Sequence, residues 1–394
     1  MLFDPIDADA LAQTVSDLVA IRSLSGAESG VADFVRAWLT RAGVQHHRDG
    51  DGNILALIEP HTPGDAAQTL HLNGHMDTVV PVGGWQSDPL RPQILGTGDE
   101  RRIVGLGASD MKSGLAVMLH LASAFSDASR RFQKLRLAFS FTTCEEGPVP
   151  GKRNGVHAIL ARQPGRWAIT LEASCDSISP TLTVGCQGHA VARVTIHGRA
   201  AHSANPDLGA NAIHAAAEIA RRVAALHRSY ADVPVIADLR ARPTIAVTQI
   251  TGGSAPNIIP DLCELTISRR IAPGETLANA EREVEQLTSG LDGVTITSKL
   301  RCDAPACMSD KNGPLLQAAS AASRELFGQA RYSWNRARTD MVLFKQAGMD
   351  VLNIGPGFCG QAHAAGEYAR VVDMLRAGNL LARTIERMDQ PLAP

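Results

Sequence analysis

The chain has 394 residues, of which 44% are hydrophobic, 20% charged and 4% aromatic, with a formal net charge of −2. That length exceeds what one hydrophobic core usually organises, so two domains are expected, and the composition excludes collagen-like, coiled-coil and disordered classes. A balanced charge with no long basic or acidic block gives no electrostatic reason for nucleic acid or an anionic membrane as partner, which leaves small molecules and short peptides.

The opening "MLFDPIDADALAQTV" carries acidic residues where a secretory leader would be positive, and no apolar core follows. No stretch approaches the roughly 18 apolar residues of a membrane span, so a cytoplasmic protein is expected. The seven cysteines are scattered, odd in number and without a C-x-x-C pair, Cys302 and Cys307 being nearest. Inert thiols are expected rather than a disulfide framework or a thiolate zinc site.

Helical spacing of apolar residues runs from Asp7 to Ile21 and from Val31 to Ala42. Strands and helices then alternate: "NILALI" and "TLHLNG" read as strands, "MKSGLAVMLHLASAF" as a helix, and "KLRLAFSFTT" and "RWAITLE" as strands. This alternation predicts an α/β layer architecture with a largely parallel sheet. Near Thr183 the texture changes. "HAVARVTIHGR", "TIAVTQITGG", "LCELTISRRI" and "VTITSKL" alternate apolar and polar residues, as strands with one wet face do, with helices over about 211–226 and 275–289. After that block come the strand "DVLNIG" and a long helix from "GEYARVV" onward, as if the first domain resumed. The expected layout is a discontinuous main domain, 1–182 and 298–394, interrupted by a smaller α+β domain, 183–297.

Four stretches end a predicted strand or turn in acidic or imidazole groups: "GHMDTV", "GASDMKSG", "TTCEEG" and "TLEAS". The carboxyl ends of strands in an α/β sheet converge on one crevice, so His75, Asp77, Asp110, Glu145, Glu146 and Glu172 are candidates for a single cluster. Carboxylates that close repel one another unless a cation neutralises them. Carboxylate and imidazole donors without cysteine suit zinc, manganese or cobalt, and His363 in "GQAHAAGEY" is a second candidate histidine. Taken singly, each piece is a solvated turn, and "GLGASDMKSG" lacks the spacing of a phosphate loop. The conjunction favours a metal.

These stretches, with "GRAAHSANPDLGANAI", "APNIIPDLCELTISRR" and "GPGFCGQAHAAGEY", resemble in order the successive motifs of the M20 metallopeptidase and deacylase family over nearly the whole length. The resemblance implies a zinc-peptidase-like catalytic domain with an inserted lid and dimerisation domain, acting as a homodimer. It also implies two divalent ions per subunit, zinc being expected and cobalt or manganese the alternatives. Asp110 would bridge them, with His75 and Glu172 completing one site and Glu146 and His363 the other. Two such ions about 3.5–4 Å apart polarise a scissile carbonyl and activate water. Glu145 would be the general base and then the acid. Asp77 would orient His75 through the other ring nitrogen. His202 would reach the neighbouring subunit's site and stabilise an oxyanion. Asn257 and Arg270 would contact substrate, Arg270 grasping a carboxylate, although Arg269 on the opposite strand face competes for that role. Backbone N–H groups of Gly355 and Gly357 could meet the same carboxylate, and a plain strand-ending turn is the equal alternative.

Two departures bear on the pocket wall: Leu106 in the turn before Asp110, and Cys144, a thiol open to metal binding or oxidation beside the glutamate pair. Glu172, in place of aspartate, resembles the deacylase and carboxypeptidase branches. The expected activity is removal of an N-acyl group from a small amino-acid-like substrate. The alternatives are a carboxypeptidase or dipeptidase on short peptides, a hydrolase of an atypical small amide or amine, and a non-catalytic metabolite-binding homologue.

Overall fold

The computed structural model describes residues 6–61, 68–127, 132–147, 149–176 and 179–389. The side chains of Cys302, Asp303 and Cys359 lie outside this description, so the expectation for those two thiols does too. The chain divides into two compact units: Met1–Gly185, Met308–Ser333 and Thr339–Pro394 form the first, and Cys186–Cys307 with Trp334–Arg338 the second. The second unit runs past residue 297 because the strand Thr295–Ala304 pairs with Gly188–His197 as far as the Ala304–His189 register.

The first unit is built on a nine-stranded sheet ordered Gln45–Arg48, Ile54–Ile58, Arg136–Thr142, Thr69–His75, Trp167–Thr170, Asp350–Asn353, Leu182–Cys186 and Cys307–Met308, with Tyr332–Asn335 also pairing Leu182–Cys186. Its central pairs, from Arg136–Thr142 to Asp350–Asn353, are parallel. Gln45–Arg48 with Ile54–Ile58, Ile54–Ile58 with Arg136–Thr142, and Asp350–Asn353 with Leu182–Cys186 are antiparallel, so the sheet is mixed rather than largely parallel. The central strands are apolar on both faces, as helices covering each side require: all seven residues of Thr69–His75 are buried.

Ala8–Ala20 starts where the Asp7 side chain accepts the Ala10 N–H at 2.7 Å, and it buries Leu11, Val15, Leu18 and Val19. Ser113–Phe125 is buried nearly all round, which matches its apolar residues on every face. Its Gly114 lies where a Cβ would meet the Leu171 carbonyl oxygen at 2.5 Å, so helix and strand end approach as only glycine permits. Among the described residues no helix is long and apolar enough to cross a membrane.

The second unit is a four-stranded antiparallel sheet, ordered Thr244–Gly252, Leu262–Ile271, Gly188–His197 and Thr295–Ala304, with helices Ala212–Ser229 and Leu277–Thr288. Ala192, Val194, Ile196, Leu265 and Ile267 point to one face and form a core with Ala216, Ile219, Val223 and Val284 of the helices. The alternate residues leave the other face polar, which is the alternation visible in the sequence. Asn211 caps the first helix through the Ile213 N–H at 2.9 Å, and Thr276 with Asn279 forms a capping box on the second.

Candidate metal centre

Parallel pairing aligns the strand ends. His75 stands opposite Thr142, and Asn73 opposite Thr170, so the segments that follow, Cys144–Glu146 and Glu172, emerge at one edge of the sheet. Asn353 in turn stands opposite Thr170, and the loop after it brings His363 to the same edge. Asp110 reaches the edge just before the helix Ser113–Phe125.

These residues meet. His75 Nε2 is 3.2 Å from Asp110 Oδ1 and 3.9 Å from Glu172 Oε1. His363 Nε2 is 2.9 Å from Glu146 Oε2 and 3.6 Å from Asp110 Oδ2. Two triads result, His75–Asp110–Glu172 and Asp110–Glu146–His363, each with ligand atoms within 4.8 Å of one another and Asp110 common to both. The two oxygens of Asp110 face different histidines, which is the disposition a bridging carboxylate needs.

The donor set fits a pair of divalent cations. His75 Nδ1 lies 3.0 Å from the Asp77 backbone carbonyl, an acceptor only, so the ring carries a proton there and Nε2 is the nitrogen that faces the cluster and would ligate an ion. Glu146 Oε1 is buried without a hydrogen-bond partner, a costly state that an ion relieves. Burial, and then the Asp340 charge, push the Glu145 carboxyl well above the usual range. Burial, and then Asp110, do the same to Glu172. The hydrogen bond to Glu146 raises His363 to about 9. Burial opposes charge on His75, yet the surrounding carboxylates, Asp110 first, raise it well above its ordinary value. Such a cluster of anions gathers positive charge at its centre.

The Asp77 carboxylate does something other than orient His75. Its Oδ1 is 3.6 Å from His75 Nδ1, beyond hydrogen-bond reach, while its oxygens accept the Glu145 N–H at 3.1 Å, the Glu146 N–H at 2.9 Å and the Ser25 hydroxyl at 2.7 Å. The expected His75 contact is thus made by the backbone of Asp77, and its side chain holds the glutamate pair in place. Cys144, at φ 59, turns the chain into that pair, and Glu28 Oε1 accepts its N–H at 3.1 Å. Burial, and then Glu28, raise the Cys144 thiol, which lies 3.6 Å from Glu28 Oε1. It is therefore a protonated thiol turned toward Glu28, not an exposed reactive one.

Gly355 also departs from expectation. Its N–H donates to Ser174 Oγ at 3.0 Å, so it is not offered to a substrate. A Cβ there would sit 2.2 Å from the Leu171 carbonyl oxygen, so the glycine serves close packing. Gly357, at φ 93, turns under Ser109, where a Cβ would come within 2.6 Å of Ser109 Oγ.

Two contributors had not been singled out in the sequence. The buried Glu367 carboxylate accepts the N–H groups of Gly107 at 2.9 Å, Ser109 at 2.8 Å and Asp110 at 2.9 Å. Buried Asp340 takes the Asn154 amide at 2.6 Å and bears electrostatically on both Glu145 and Glu172. The visible traces were "AAGEY" and "RTDM", neither with diagnostic spacing.

His202, Asn257 and Arg270 belong to the second unit. His202 stands opposite Ile258 in a short antiparallel pair, and the Ser203 N–H donates to the Asn257 carbonyl at 3.0 Å, so the two motifs lie side by side. Arg269 is the buried arginine: it pairs with Glu275 at 2.7 Å and Glu283 at 2.9 Å and lies 4.6 Å from the Tyr230 ring centroid. Arg270 points to the opposite, polar face.

Residues 184–292 match the family described as peptidase dimerisation domain, and residues 53–221 match peptidase family M28. A succinyl-diaminopimelate desuccinylase of Corynebacterium glutamicum is 31% identical over 362 residues, 90% of this chain and 90% of that one. An acetylornithine deacetylase of Myxococcus xanthus is 30% identical over 402 residues, 95% of this chain and 97% of that one. The chain belongs to the M20 family. A crystal structure of a dinuclear metal-binding M20 peptidase from Bacillus subtilis shares the M20 fold, with a TM-score of 0.71 at 16% identity over 96% of this chain and 97% of that one. As an M20 member this chain is a metal-dependent hydrolase of amide bonds.

Proposed function

We propose that this M20 hydrolase binds two zinc ions and removes an N-acyl group from a small amino-acid-like substrate. The observation that carries the reading is the sharing of Asp110 between the two triads. His75 and Glu172 would hold one ion and Glu146 and His363 the other. A bound pair of divalent ions supplies Lewis acidity toward a carbonyl and acidifies water. Glu145, adjacent to Glu146 and made more basic by burial and the Asp340 charge, would as its carboxylate take the water's proton and return it to the departing amine. Asp77 keeps Glu145 aimed through its backbone N–H.

His202 Nδ1 accepts the Ala204 N–H at 3.1 Å, so the neutral ring carries its proton on Nε2, free to donate to an oxyanion. In this reading that donation serves the partner subunit of a homodimer, which the match to a dimerisation domain supports. Arg270 and Asn257 would engage the substrate's carboxylate and polar backbone. The five described cysteines are buried and outside any disulfide, in keeping with a reducing cytoplasm.

Elemental analysis of the purified protein, together with a panel of N-acetyl and N-succinyl amino acids and dipeptides, tests this reading. It expects two equivalents of metal and turnover of acylated amino acids. One equivalent would overturn the dinuclear site, and turnover of peptides alone would overturn the deacylase.

A further inference from the structure

The polar face of the second unit's sheet holds a groove of about 420 Å³ between the strands Gly188–His197 and Thr295–Ala304. Its walls carry Arg193, Lys299 and Arg301, with Thr195 and Thr297 at one end and Val191 in the floor. Strand register makes the arrangement specific: Lys299 stands directly opposite Arg193, Arg301 opposite Val191, and Thr297 opposite Thr195. The residues between them on Gly188–His197, Ala192 and Val194, face the other way into the core, so the cations all project to the same side.

Like charges directly opposite on neighbouring strands are destabilising. Neither Arg193 nor Lys299 makes an ion pair among the described residues. Glu264, in register on the adjoining strand, stands opposite Thr195 rather than between them. Thr295–Ala304 is an edge strand, where cations discourage pairing with another chain, but that use does not require Arg193 directly opposite Lys299, and local rules broken without structural benefit mark sites of function. An anion between the two side chains removes the repulsion and gains two charge-assisted hydrogen bonds.

We propose that this groove binds a small di- or tricarboxylate. The planar fork of an arginine matches a carboxylate, Lys299 adds a point charge, and the threonine hydroxyls can donate to remaining oxygens. Val191 and the alkyl stems of the cations face the ligand's carbon chain. The volume falls in the range of small-molecule sites. Three cations in a bounded groove of a chain with net charge −2 do not make the extended basic stripe that a nucleic acid needs. This inference stands apart from the metal centre.

Calorimetric titration of the metal-loaded, full-length protein with tricarballylate, a tricarboxylate without a chelating hydroxyl, tests it. One saturable site per chain is expected. Arg193→Ala/Lys299→Ala should weaken it at least about tenfold, the scale of charge-assisted hydrogen bonds, and acetate should bind at least about tenfold more weakly than tricarballylate. Unchanged affinity in the double variant would place the ligand on the metal centre and overturn the proposal. So would the absence of saturable binding, parity with acetate, or affinity that climbs with the length of a polyphosphate chain. The unliganded double variant should melt at or above the wild type, since it loses a repulsive pair. A lower midpoint would make the cations structural and refute the reading.

Discussion

Glu367 Oε1 accepts the backbone N–H of Asp110 at 2.9 Å, across 257 residues of sequence. The same carboxylate takes the N–H groups of Gly107 and Ser109, so one buried side chain sets the backbone of the loop that presents the shared carboxylate. Burial pushes its carboxyl up to about 7, and the three N–H groups pull it back only in part.

Glu367→Gln exchanges one accepting oxygen for an NH2 that faces backbone donors. Metal affinity, and activity with it, should fall about 10- to 100-fold, as for other residues that support metal ligands. Competition with a graded chelator and the d–d spectrum of the cobalt-substituted protein measure this. A loss of activity with an unchanged spectrum and metal affinity would contradict it.

Glu145→Ala should lower kcat by about 10²- to 10⁴-fold while both metal equivalents stay bound. Glu146→Ala should instead release the ion held with His363 and leave the other in place. Metal content and kcat of the two variants, measured side by side, separate a proton carrier from a ligand. Full chelation should abolish turnover in the wild type.

His71 predicts an acid limb in stability. Its ring is wholly buried 5.7 Å from the Phe344 ring, and burial lowers its pKa from 6.5 to about 4, only partly offset by the Gln163 backbone. The unfolded chain therefore takes up a proton that the folded chain resists between pH 6.5 and 4. The stability at stake, about 3 kcal/mol, is fully present above pH 6.5 and is lost as pH falls toward 4. Urea midpoints over this range should show a shallower decline in His71→Leu. An identical decline would remove His71 as its cause.

Arg269→Ala should cost about 3 kcal/mol by leaving Glu275 and Glu283 without their buried partner. Arg270→Ala should act on the substrate, lowering kcat/KM about 10- to 100-fold. Denaturation and kinetics of both variants test the division. A purely kinetic effect of Arg269→Ala would reverse it.

The ligand candidates were legible because each sits in a short stretch where acidic or imidazole groups end an apolar strand, as in "LNGHMDTV" and "TTCEEG". Glu367 and Asp340 were not, since their partners lie far away in sequence and a lone glutamate or aspartate after a small residue is common. Gly355 looked like a source of backbone N–H groups. Whether that N–H is free depends on Ser174, which only the folded sheet brings beneath it.

By itself, the sequence determined the alternation of strand and helix, the strand ends that carry chemistry, and which face of Gly188–His197 is wet, because periodicity and local residue type govern these. Only the tertiary structure decided that the sheet mixes parallel and antiparallel pairs, that the Asp77 carboxylate holds Glu145 and Glu146 rather than His75, and that Arg269 is the buried arginine. Hydrogen-bond partners are chosen by distance in space. A carboxylate goes to whichever donors the packed strands leave within about 3 Å of it, and no local pattern encodes that choice.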